Sequence, residues 1–143
     1  MVTARPRAGG IGIHPVQAVL LASGLPLFLG ALLSDWAYSI THEVQWINFA
    51  AWLIIGALVF AGSALVWALI DLLRAHLRKG RIRIYYTIAM LSVFVIGLFD
   101  AFIHARDAWA AMPAGLILSL LATLLALLSV ALGFSALRAG DRR

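Results

Sequence analysis

Four long apolar segments, separated by short polar ones, dominate the pattern of hydrophobic and polar positions along the chain. They cover residues 15–34, 46–70, 84–103 and 110–137. A hydrocarbon layer of about 30 Å requires ~20 helical residues to cross it, and each segment is about that long or longer. None of them alternates apolar and polar residues as a barrel strand does. The pattern predicts four transmembrane helices, which satisfy their own backbone hydrogen bonds in lipid.

The connections between these segments are short, at about residues 35–45, 71–83 and 104–109. Short connections place successive helices side by side and antiparallel. They also leave no room for a second domain. We therefore predict an all-α membrane protein, in which residues 1–143 form one antiparallel four-transmembrane-helix bundle.

The amino-acid composition agrees with a lipid environment and excludes several kinds of cofactor and metal site. Hydrophobic residues make up 64% of the 143 residues and charged residues only 12%, against roughly 45–50% and about 25% in soluble domains. The absence of cysteine excludes disulfides, thiolate zinc sites, iron–sulfur clusters and c-type haem. The net charge of +5 fits basic cytoplasmic loops. We predict that the chain associates with the lipid bilayer and that it does not bind nucleic acid.

The distribution of basic residues predicts the orientation. Ten of the eleven lysines and arginines fall on the side that carries both chain ends and the middle connection, and only Arg106 falls on the other side. The ten are Arg5, Arg7, Arg74, Arg78, Lys79, Arg81, Arg83, Arg138, Arg142 and Arg143. Because cytoplasmic loops are enriched in Lys and Arg, we expect both termini in the cytoplasm.

Ionisable groups in or near a bilayer are costly and are therefore the first candidates for function. Asp100 lies about a turn inside the outer end of the third helix, and His104 follows four residues later on the same face. With Asp35, these residues are candidates for a metal, proton or haem-associated site. The alternative is an interfacial acid, hydrated or salt-bridged, that orients the end of its helix.

A second polar set lies at the inner end. His14 and Pro15 open the first helix and Asp71 closes the second, so a His14–Asp71 hydrogen bond is one interpretation and a structural latch or helix cap is the other. His14 and His104 are also the candidate ligands of a haem b. Bis-histidine ligation needs two imidazoles facing each other at one depth, and no histidine here is a mid-helix residue. No cofactor is predicted, and haem b stays an alternative.

Small residues at three-to-four spacing form a stripe on the fourth helix. They are Gly115, Ser119, Ala122, Ala126, Ser129 and Gly133. Such a stripe lets two helices approach closely in lipid. Packing inside the bundle is the preferred interpretation, and a homodimer face is the alternative.

Residues 14–71 resemble the opening of a bacterial family of membrane proteins described as domain of unknown function 2231. The resemblance is carried by a His-Pro start, a first helix ending in Asp, and a second helix with an aromatic-rich start, a glycine and a final Asp. The matching positions are His14, Pro15, Val16, residues 30–35, Ala37, Tyr38, Trp46, Trp52, Gly56 and Asp71. Gln17 departs from the pattern, since relatives often carry a second histidine shortly after His-Pro. The resemblance implies a four-helix protein of the bacterial inner membrane that works beside redox enzymes, with Pro15, Gly56 and Asp71 in structural or docking roles.

No nucleotide-binding glycine loop, zinc-protease helix or nucleophile elbow occurs in the sequence, and no catalytic residue is predicted. The first hypothesis is therefore a non-enzymatic accessory or anchoring subunit, associated with other membrane or redox subunits or with further copies of itself. One alternative is a haem b-binding electron-transfer subunit. Another is a small transporter or proton-conducting bundle.

Overall fold

The computed structural model describes residues 15–74, 81–106 and 108–141, and this part of the chain is helical with no strand. The helices are α1 (Pro15–Thr41), α2 (Val44–Arg74), α3 (Arg81–His104), the short α4 (Ala108–Ala111) and α5 (Ala114–Asp141). All except α4 contain a span long and apolar enough to cross a membrane. The predicted all-α membrane fold with four spanning helices is confirmed.

The long helices form a ring in the order α1, α2, α3 and α5, each packed against the two beside it. Small side chains line the inner face of α2, where Ala50, Ala57 and Ala64 are fully buried. Small residues let helices approach closely in lipid, where no hydrophobic force drives helices together. Large apolar side chains point outward instead. Trp52, for example, is 74% exposed.

All six residues of the small-residue stripe on α5 are buried inside the bundle. The stripe therefore serves packing between α5 and its neighbours α1 and α3. It is not an open face on which a second copy could dock.

The first helix extends well beyond its apolar segment, which stops at Ser34. Asp35 and Tyr38 are buried, so their side chains continue the inner face of α1 up to Thr41. His42 ends the helix in a left-handed conformation with φ 59°. Its backbone N–H donates to the Tyr38 carbonyl over 2.8 Å, which satisfies a carbonyl at the helix end. Only His42 and Glu43 separate α1 from α2.

Because the helices alternate in direction, α1 and α3 finish where α2 and α5 begin. We refer to this end of the bundle as the Asp100 end. The single apolar segment predicted over 110–137 is divided here into α4 and α5. The carbonyl of Pro113 accepts a hydrogen bond from Ile117 N–H over 3.2 Å, so Pro113 caps the start of α5. A helix start suits proline, because the missing N–H would have no partner in the helix.

Candidate metal centre

Four polar side chains from three helices meet inside the bundle near the Asp100 end. Asp35 comes from α1, Asp100 and His104 from α3, and Ser119 from α5. Asp35, Asp100 and Ser119 are 0% exposed, and the His104 side chain is also buried. Asp35, Asp100 and His104 each offer one ligand atom, and these atoms lie within 4.8 Å of one another. We refer to these four residues as the Asp–His cluster.

The packing order of the helices explains how the cluster forms. Asp100 and His104 are four residues apart and share one face of α3. The helix α5 packs against both α1 and α3, so Ser119 reaches an acid on each of them. One turn before Ser119, Gly115 leaves room for the His104 ring, because a Cβ at residue 115 would lie 2.9 Å from Cε1 of that ring.

Two contacts fix the orientation of the His104 ring. Its Nδ1 lies 2.9 Å from the Asp100 backbone carbonyl, and its Nε2 lies 2.7 Å from Asp35 Oδ1. A carbonyl oxygen can only accept a hydrogen bond, so Nδ1 carries a hydrogen and donates it there. Metal-binding histidines are oriented in this way, with one ring nitrogen donating to a carbonyl or carboxylate and the other directed at the metal. Nε2 also carries a hydrogen in this structure, because the Asp35 carboxylate can only accept. Nε2 is therefore the nitrogen at which an ion would replace a hydrogen.

The cluster contains more acceptor atoms than hydrogens to satisfy them. Ser119 Oγ contacts Asp35 Oδ2 and lies 3.0 Å from Asp100 Oδ2, but one hydroxyl donates only one hydrogen. Among the described residues no hydrogen bond reaches Asp100 Oδ1. His104 Nδ1 is 3.1 Å away from this oxygen, but its hydrogen is directed to the backbone carbonyl. A positive charge among these atoms would satisfy the excess of acceptors.

A divalent cation matches both the charge and the donor atoms of the cluster. Two carboxylates buried in a low-dielectric interior need compensation, and one divalent ion brings their combined charge to zero. Imidazole nitrogen and carboxylate oxygen are ligands of zinc, iron and manganese. Ligands about 2.0–2.2 Å from a tetrahedral zinc are roughly 3.3–3.6 Å apart. Nε2 and Asp35 Oδ1 would therefore separate by about 0.6 Å or more when an ion enters.

The comparison with protein families gives a clear result. Residues 10–138 match the family model described as predicted membrane protein (DUF2231). The chain belongs to this family. In the comparisons with curated proteins and with solved structures, nothing matches. The DUF2231 match runs from before α1 into the last part of α5, so it includes all four residues of the Asp–His cluster.

The other residues singled out in the sequence do not join this cluster. Pro15 is exposed at the start of α1, and Asp71 is partly buried near the end of α2. Gly56, in the middle of α2, is partly buried and packs against Leu27 of α1. His14 lies outside the described residues, and so does its pairing with Asp71.

Sequence reasoning did not find two buried polar partners at the other end of the bundle. Gln17 and Tyr86 are both buried there, and Gln17 Nε2 donates to Tyr86 Oη over 3.3 Å. The only signal in the sequence is that each polar residue lies on the inner face of its helix, at helical spacing from buried apolar neighbours.

The geometry of His104 weighs against the haem b alternative, which stays a hypothesis. An axial ligand directs one ring nitrogen at the haem iron. Nε2 of His104 is instead directed at Asp35, and Nδ1 at a backbone carbonyl. The ring also lies against Gly115, so a haem plane would have to displace α5.

Proposed function

We propose that this DUF2231 protein is a non-enzymatic accessory or anchoring subunit of the membrane that holds one divalent metal ion in the Asp–His cluster. The observation that supports the proposal most is the convergence of the Asp35, Asp100 and His104 ligand atoms within 4.8 Å, fully inside a lipid-embedded bundle. The ion is of the zinc, manganese or ferrous class, because the donors are carboxylate oxygen and imidazole nitrogen.

The completeness of the cluster supports a structural ion over a catalytic one. Catalytic zinc sites keep one coordination position open for water or substrate, whereas structural sites are closed by four protein ligands. Here the three ligand side chains are buried and the Ser119 hydroxyl contacts both carboxylates, so no ligand is open to solvent. An ion bound by these three ligands, with Ser119 holding both carboxylates, would link α1, α3 and α5, and so would stabilise the bundle for assembly with a partner.

Metal titration of the purified protein in detergent tests this proposal. After treatment with a chelator, we expect the wild-type chain to bind one Zn²⁺ or Co²⁺, and Asp35→Asn to bind it at least 100-fold more weakly. Asp71→Asn is the matched control, because it makes the same chemical change to an acid of α2 that does not join the cluster. Equal affinities of the two variants, or no binding by the wild-type chain, would show that the cluster is not a metal site.

The charge distribution supports a further part of the proposal, namely that the Asp100 end faces away from the cytoplasm of a bacterial inner membrane. Reporters fused after Ser39 and after Lys79 test it. We expect the first fusion to be active only as a periplasmic reporter and the second only as a cytoplasmic one. Cytoplasmic activity of the fusion after Ser39 would contradict the orientation.

A further inference from the structure

A cavity of ≈ 160 Å³ lies at the Asp100 end between the end of α1 and the start of α5. A single water requires only about 10–15 Å³ on the same measure, together with polar partners, and Tyr38, Ser39 and His42 supply polar side chains in an otherwise mostly apolar wall. Its walls include Tyr38, Ser39, His42, Trp109 and Leu116. The ring of His42 lies 6.2 Å from that of Tyr38 and 6.1 Å from that of Trp109, between centroids.

The cavity lies toward the helix ends from the Asp–His cluster, and Tyr38, which packs with the buried Ile47 and Ala111, lines it. Tyr38 follows Asp35 by one helical turn on the buried face of α1. On α5, the cavity-lining Leu116 comes directly after Gly115, against which the His104 ring lies. The same two helices therefore carry part of the cavity wall and, one turn deeper, Asp35 and Ser119 of the cluster.

On its other side the cluster is closed by apolar packing. Phe28 lies two turns before Asp35 on α1 and is 1% exposed. Its ring fills the space beside Gly97, three residues before Asp100, where a Cβ would lie 3.1 Å from the ring. The cavity beyond it, beside Met90 and Val93, has a volume of only ≈ 10 Å³ and apolar walls. A hydrated ion has no path through this part of the bundle.

His42 combines a left-handed backbone with an exposed side chain. A φ of 59° is a conformation that glycine adopts most readily and that other residues adopt at a cost. Histidine supplies an exposed imidazole at the mouth of the cavity, beside two aromatic rings whose faces attract cations. Imidazole is also a ligand of zinc and iron, two of the proposed metals.

From this arrangement we infer that the cavity is the entry chamber of the metal ion and that His42 is the first residue to bind the ion there. This inference rests on the proposed function. The ion reaches the cluster from the Asp100 end alone, passing Tyr38, and leaves by the same way. The protein then acts as a receiver of metal from one side of the membrane rather than as a conduit across it.

The absence of cysteine allows a direct test with a single introduced thiol. Ser39→Cys places the thiol in the cavity wall, and a water-soluble maleimide then blocks the chamber. Co²⁺ binding is followed by its visible absorption after rapid mixing. We expect the labelled variant to load Co²⁺ at least tenfold more slowly than the same variant unlabelled. Thr41→Cys is the matched control, since Thr41 is exposed at the end of α1 and does not line the cavity. Its labelling should leave the rate unchanged.

His42→Gly provides a second measurement with the backbone conformation preserved. We expect it to slow Co²⁺ loading several-fold while the equilibrium affinity stays within a factor of about two of the wild-type value. Unchanged loading after complete labelling of Ser39→Cys would overturn the entry chamber and leave the metal site standing. A wild-type chain that takes up no Co²⁺ at equilibrium would overturn both.

Discussion

The substitution Gly115→Ala tests whether the His104 ring is held where the geometry places it. An added Cβ would lie 2.9 Å from His104 Cε1 and 3.4 Å from Nε2. Carbon atoms in favourable contact are about 3.5–4.0 Å apart, so the ring must move by about 0.6 Å or more. It cannot do so freely, because both of its nitrogens are engaged, at 2.9 Å and 2.7 Å.

The size of the effect follows from two opposing terms. Inserting a methyl group into a packed interior costs about 1–3 kcal/mol, whereas replacing glycine by alanine in a helix gains roughly 0.5–1 kcal/mol. Gly24→Ala is a control with the second term alone, since its Cβ would meet neighbouring atoms no closer than 3.8 Å. The free energy of unfolding of Gly115→Ala should therefore lie about 1–3 kcal/mol below that of Gly24→Ala.

Metal affinity provides the second readout of the same pair. Groups that orient a metal-binding histidine typically change affinity 10–100-fold when they are disturbed. We expect a loss of about this size in Gly115→Ala and none in Gly24→Ala, measured by Zn²⁺ competition in detergent. If the two variants unfold with the same free energy and bind Zn²⁺ equally, the His104 ring does not lie against α5 and the described cluster is incorrect.

Three further predictions follow from the cluster and the cavity. His42→Gly should raise the free energy of unfolding by up to about 1 kcal/mol because it relieves the left-handed backbone; a clear loss of stability would mean that the imidazole is needed for folding. Asp100→Asn should still assemble as a bundle, by gel filtration, but should bind no Zn²⁺; retention of the ion would restore the interpretation of Asp100 as a helix-end acid. Removal of the ion by EDTA should lower the melting temperature of the wild-type protein, because an ion at 100 times its Kd stabilises the fold by about 2.7 kcal/mol. The melting temperature of Asp35→Asn should not change. An equal drop in both proteins would place the stabilising ion elsewhere.

The spanning helices could be predicted from the sequence because their signal is local: an apolar segment of this length is rarely stable outside a membrane. Their ends could not be predicted as well. Hydropathy marks Asp35 as the end of a span, but its carboxylate is buried and paired with His104, so α1 continues for six residues beyond it. A polar residue ends an apolar segment whether or not it faces inward.

In the candidate site, too, contacts within one helix could be predicted from the sequence, whereas contacts between helices could not. Asp100 and His104 could be paired from their spacing of four residues on one helix. The contacts of Asp35 and Ser119 depend on which faces of α1 and α5 turn toward α3, and that is decided by packing along the whole bundle. In the sequence Ser119 and Gly115 belong to a packing stripe, and both are buried. Their position beside His104 adds a chemical role that the stripe does not reveal.

X-ray absorption at the zinc edge of the metal-loaded protein tests the central claim most directly. If the cluster binds the ion, the spectrum should show nitrogen and oxygen ligands at about 2.0–2.2 Å, together with the multiple scattering of a single imidazole. His104→Gln should remove the imidazole signal, whereas Asp71→Asn should leave the spectrum unchanged. A zinc ion surrounded by water oxygens alone, or an imidazole signal that survives in His104→Gln, would contradict a metal centre built from Asp35, Asp100 and His104.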